Sequence, residues 1–221
     1  MVRWELYCIF IARIINETIE IMDKGIKLNQ SIKLEEHVVL IDTAFLNFML
    51  LNLKGFLEGQ IKRSLPDLSL ADLLACLALD AGIPAGEKKI QVVLISDDEN
   101  KKLHHTVPSH LENELDGVAF DSSLGEFLFA STFTEGVVSR GELFLDVLTI
   151  ALESKDVKNL VLLSFDDEYG DKVLEKINKK EIDKGIMQFR MREPQGNVHF
   201  KWDMLVFPMM KAFGVDSDEI K

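Results

Sequence analysis

Acidic residues recur where apolar runs end in this 221-residue chain. VVLID closes on Asp42, IQVVLIS runs into Asp97 and Asp98, DGVAFD closes on Asp121, and KNLVLLS is followed after Phe165 by Asp166, Asp167 and Glu168. Two further acids, Asp72 and Asp146, interrupt leucine-rich stretches of helical spacing. Carboxylates brought together repel one another, so such a set either holds a hard cation or keeps one member protonated. Mg²⁺ or Mn²⁺ on carboxylates activates water and stabilises a phosphoryl-transfer transition state. A plainer use competes. Asp is a favoured helix N-cap and its charge suits the positive helix end, and Asp42, Asp121 and Asp166 each precede an expected helix. Asp72 stands three residues after Ser69, the spacing of a capping box. Asp146, on an otherwise apolar face, has no such substitute role.

The elements that would position these acids follow from hydrophobic pattern. Residues 38–42, 90–96 and 158–164 are short runs rich in Val, Ile and Leu, the signature of strands buried on both faces. Helices are expected over about 44–58, over 69–80 between Pro66 and Gly82, over 122–132 and 141–154, and over the charged stretch 166–182. Strands alternating with helices predict an α/β fold with a mainly parallel sheet flanked by helices. Its strands would present their C-terminal ends along one edge, with neighbours about 4.8 Å apart. The order also repeats: 38–50 is echoed by 117–129, 69–79 by 143–153, and 92–99 by 160–168. This predicts an internal βααβ duplication with pseudo-repeats 38–116 and 117–180. Two alternating runs around Pro194-Gln195-Gly196-Asn197 predict a C-terminal antiparallel hairpin. A short helix over 208–213 completes a unit at 185–221.

Residues 1–37 read as an N-terminal helix (3–21) and a polar linker, preceding a single domain over 38–221. The N-terminal apolar run is broken by Glu5 and Arg13 and is too short to span a bilayer. It suits an amphipathic helix packed on the domain, or a surface for a protein partner or a second copy. Met22 offers an alternative start. A net charge of −12 disfavours non-specific binding to nucleic acid, which is held mainly by Lys and Arg. Cys8 and Cys76 are the only cysteines and lack metal-ligand spacing, which fits a reducing, cytoplasmic setting. His104, His105, His110 and Glu112 match no zinc spacing. Neither a phosphate-cradling glycine loop nor a G-x-S-x-G elbow follows any strand.

The strand–Asp–Thr, helix–Asp, strand–Ser–x–Asp series resembles the PIN-like nuclease superfamily, especially its NYN branch. VVLIDTAFLNFML is similar to the opening strand of a PIN domain, LDVLTIALES to the NYN helix with a ligand Asp, and LVLLSFDDEYGDKVL to the strand ending in Ser-Gly-Asp-x-Asp-Phe. Phe165 stands in place of that glycine and Glu168 in place of the last Asp. The resemblance implies metal ligands drawn from Asp42, Asp72 and Asp98 or from Asp121, Asp146 and Asp166. Catalytic acids would be Asp121, Asp146, Asp166 and Glu168, with Mg²⁺ or Mn²⁺ as cofactor and RNA phosphodiesters as substrate. The departures from the motif leave an inactive form as a second expectation. A non-catalytic α/β interaction module is the alternative from another class, and a small-molecule phosphohydrolase using the same acids is the third.

Overall fold

The computed structural model describes residues 34–86 and 88–220. The expected N-terminal helix and Cys8 lie outside them. Seven strands form one sheet: β1 (His37–Asp42), β3 (Lys89–Ser96), β5 (Ala119–Ser122), β6 (Gly125–Phe133), β7 (Asn159–Leu163), β8 (Gly185–Arg190) and β9 (Lys201–Met204). β2 (Leu68–Ser69) and β4 (Thr106–Val107) pair separately. The helices are α1 (Thr43–Ile61), α2 (Leu70–Asp80), α3 (Arg140–Glu153), α4 (Asp166–Ile177) and α5 (Val206–Ala212). Spatial order in the sheet is β5-β6-β3-β1-β7-β8-β9. All neighbours pair parallel except β5 with β6. The protein is therefore α/β with a mainly parallel sheet flanked by helices.

The continuous apolar strands are buried twice over, as their composition requires. Val39 and Ile41 face one core with Phe45, Leu50 and Leu57 of α1 and Leu73 and Leu77 of α2. Val38 and Leu40 face the other, with Phe144 and Leu148 of α3 and Val173 of α4. Counted in chain order, the six parallel strands stand 3-2-1-4-5-6, so the order reverses beside β1. In such sheets ligands bind outside the carboxyl ends of the strands at that reversal. Here it is bounded by the ends of β1, β3 and β7.

Two expectations are corrected. Residues 122–132 are not a helix: β5 and β6 form an antiparallel hairpin. The buried positions of β6 alternate at Gly125, Phe127 and Phe129, the period of a strand. Gly125 has φ +140, and a Cβ there would come within 2.4 Å of the Lys88 carbonyl oxygen, so the turn requires glycine. The second half consequently runs β-β-α-β where the first runs β-α-α-β, and a full βααβ duplication does not hold through that element. At the C-terminus β8 and β9 pair parallel, Met187 opposite Lys201 and Arg190 opposite Met204. Residues 191–200 form a crossover there and not the expected tight antiparallel turn.

Candidate functional site

Asp42 ends β1 and caps α1: its Oδ1 accepts from the backbone N–H of Ala44 (2.9 Å) and of Phe45 (3.0 Å). It is wholly buried, yet capping occupies only one of its oxygens. Oδ2 accepts from Arg140 Nε at 2.8 Å and from the Tyr169 hydroxyl at 2.5 Å. The same guanidinium donates through Nη1 to Asp97 Oδ2 at 2.7 Å and through Nη2 to Glu168. One cation thus gathers the acids that follow β1, β3 and β7. Phe165 lies beneath it, the guanidinium carbon 5.8 Å from the ring centre, within cation–π range.

Local sequence explains how Arg140 and Tyr169 arrive. Ser139 caps α3 and forms a full capping box with Glu142, which fixes Arg140 at the first helical position, over the sheet edge. Gly141 leaves space for the neighbouring ring; a Cβ there would sit 2.8 Å from Tyr169 Cδ1. Tyr169 itself departs from helical geometry inside α4 (φ −145, ψ 19), which turns its hydroxyl toward Asp42. Burial would lower the Arg140 pKa, but Asp42 and Asp97 outweigh it and hold the guanidinium above its ordinary value. Burial and the Asp42 charge raise the Tyr169 phenol, so it stays a donor. Outside this knot, Asp97, Ser139, Arg140, Glu168, Tyr169 and Lys172 line a shallow depression of about 300 Å³.

Asp166 lies alongside in a second buried set. Ser164 Oγ and Gln188 Nε2 both donate to its Oδ1, and Arg190 Nη2 is 2.9 Å from Oδ2 as an ion pair without hydrogen-bond geometry. Burial raises its pKa, with Arg190 opposing. Asp98, at the same edge, is turned away: it accepts from Thr134 Oγ1 and the N–H groups of Glu135 and Gly136.

The remaining expected site residues do not join. Asp72 is exposed on α2, its backbone N–H donating to the Ser69 cap. Asp146 lies on α3 six residues past Arg140, about 9 Å further along the axis. Asp121 belongs to the antiparallel strand β5 opposite Glu126, and Glu126 stands level with Lys89 at the start of β3. It occupies the opposite edge of the sheet, about 20 Å along the strand direction from Asp42. The single set Asp121, Asp146, Asp166 and Glu168 is therefore not assembled, and neither is Asp42, Asp72 and Asp98. The sequence reading does not single out Arg140 or Tyr169. The available signal was a cation in the first turn of a capped helix, where the macrodipole disfavours it.

A family model described as a family of unknown function (DUF6621) matches residues 31–220. The chain belongs to that family. Asp42, Asp97, Arg140, Asp166, Glu168 and Tyr169 all fall inside the matched region. No curated protein and no solved structure matches the chain.

Mg²⁺ or Mn²⁺ would need oxygen ligands free to point at it. At the strand reversal one oxygen each of Asp42, Asp97 and Glu168 is directed at Arg140, the second Asp42 oxygen caps α1, and those of Asp98 are directed at a loop. Among the described residues no group of three or more His, Cys, Asp or Glu side chains is arranged to hold a metal ion. The donor set as folded does not fit a divalent cation, because a guanidinium stands at its centre.

Proposed function

We propose that this chain is a non-catalytic α/β interaction module built on a PIN/NYN-like plan. In this reading its strand-end carboxylates hold an arginine in place of a metal ion. The observation that carries this is the Arg140 knot, in which one buried guanidinium donates to Asp42, Asp97 and Glu168. A carboxylate committed to a guanidinium and a phenol is poorly placed to ligate metal or to activate water. Phe165, which stands where the resemblance has glycine, supports the same reading, because its ring lies under the guanidinium and packs on Phe45 and Phe48. Exposed apolar side chains on two packed helices, Leu79 on α2 and Phe207 on α5, support a protein partner. Among the described residues no helix is long and apolar enough to cross a membrane. Two cysteines in 221 residues make no disulfide framework, and on that ground we assign the module to the cytoplasm.

The test is incubation of the purified chain with single-stranded and structured RNA in millimolar Mg²⁺ or Mn²⁺. The reading requires no cleavage above that of an Arg140→Ala/Asp42→Asn control. Cleavage that needs the metal and is lost in Asp42→Asn alone would restore the ribonuclease reading.

A further inference from the structure

The outer face of α1 carries no charge. From Phe48 to Gly59 its exposed residues are Phe48, Leu51, Asn52, Gly55, Phe56 and Gly59. A solvent-facing helix ordinarily places its charged residues there, and 28% of this chain is charged. Leu51 and Phe56 are more than half exposed. A Cβ at Gly55 or Gly59 would meet nothing within 4 Å, so the packing seen here requires neither glycine. Each costs about 0.5–1 kcal/mol relative to alanine inside a helix. Large apolar knobs beside hollows form the relief into which a second helix packs.

We propose that residues 3–21 of the same chain cover this face. Thirty-three residues precede Leu34, the first described residue, and Leu34 leads directly into β1, on which α1 packs. Residues 22–33 can reach about 40 Å when extended. That exceeds the roughly 28 Å length of α1, and the segment must also pass from the α3–α4 side of the sheet, where Leu34 packs, to the α1 side. Segment 3–21 has as many residues as α1, nineteen. At 100° per residue, Trp4, Tyr7, Cys8, Ile11, Ile15 and Ile19 fall on one side, while Glu5, Arg13, Asn16, Glu17 and Glu20 fall on the other. An uncharged apolar stripe of the right length is thus tethered within reach of an uncharged apolar face.

The test uses the full chain and one double substitution, Leu51→Glu/Phe56→Glu, with Leu51→Ser/Phe56→Ser as the milder second variant. Both positions are exposed, so neither variant disturbs the core. In a Trp202→Phe background, Trp4 is the one remaining tryptophan. We expect its emission to be blue-shifted in the otherwise native chain and to move to that of solvent-exposed indole in both variants. Amide exchange of residues 3–21 should accelerate by about tenfold or more while that of β1 and β3 stays slow. Three results overturn the proposal. One is a 3–21 segment unprotected in the native chain, and another is protection that both variants leave unchanged. The third is a native dimer that the substitutions dissociate, which would assign the face to a second copy.

Discussion

Replacing Arg140 with alanine should strand a buried carboxylate and destabilise the fold. Asp42 is wholly buried, and without Arg140 its carboxyl group would be left beside two backbone N–H groups and one phenol, with no counterion. Removing one partner of a buried ion pair costs about 3–5 kcal/mol. The other two partners add little, since the side chains of Asp97 and Glu168 are 35% and 48% exposed and pairs open to solvent contribute at most about 1 kcal/mol each. The expected loss is therefore about 3–5 kcal/mol. That corresponds to a fall in Tm of roughly 6–20 °C for a chain of this size. Urea denaturation measures it, with the midpoint moving and the slope unchanged. Asp42→Asn placed on top of Arg140→Ala should recover part of the loss. The amide keeps the α1 cap while removing the stranded charge. A cost below about 1 kcal/mol for Arg140→Ala would refute the reasoning, as would a double variant no more stable than Arg140→Ala alone.

Other perturbations probe the same construction. Tyr169→Phe removes a hydrogen bond to a buried carboxylate and should cost about 1.5–3 kcal/mol in the same denaturation assay. Gly141→Ala places a methyl 2.8 Å from that ring and should cost about 1–3 kcal/mol, an effect that Tyr169→Ala in the same chain should relieve. Asp121→Asn, on the far edge of the sheet, should change stability by no more than about 0.5 kcal/mol. His37 gives a pH signature. Burial pushes its pKa down, with Glu36 opposing and Lys88 and Lys158 adding to the shift. The unfolded chain therefore takes up a proton near pH 6.5 that the folded chain does not. Stability should fall as pH drops below about 6.5, by up to about 1.4 kcal/mol per unit, until the folded pKa is passed. Urea midpoints between neutral and mildly acid pH should show this slope flattened in His37→Gln, and an unchanged slope would sink the assignment.

How far the sequence could be read depended on whether a segment's neighbours were implied by its own pattern. β1, β3 and β7 are unbroken Val/Ile/Leu runs because both their faces are covered, and such runs are recognisable alone. Their parallel pairing then brings Asp42, Asp97 and the acids after β7 to one edge, as strand geometry requires. GEFLFASTF reads as part of a helix because its two faces differ little in polarity, so a period of two is faint. That strand is settled by pairing with β3 and by the close approach of Gly125 to Lys88, neither of which is local. Asp121 then moved to the opposite edge, because reversing one strand reverses where its end lies. Pro194 to Asn197 carry turn residues, but whether they close a hairpin or a crossover is decided by where Phe200 can be buried, and it packs in the α3–α4 core. Arg140 was the hardest to anticipate. A single arginine after a serine cap looks like solvent-facing helix until the three strand ends that surround it are in place.

A calorimetric titration of Mn²⁺ into the native chain tests most directly whether Arg140 has taken the cation's position. The account predicts no saturable binding at millimolar concentration. Stoichiometric binding that disappears in Asp42→Asn would contradict it.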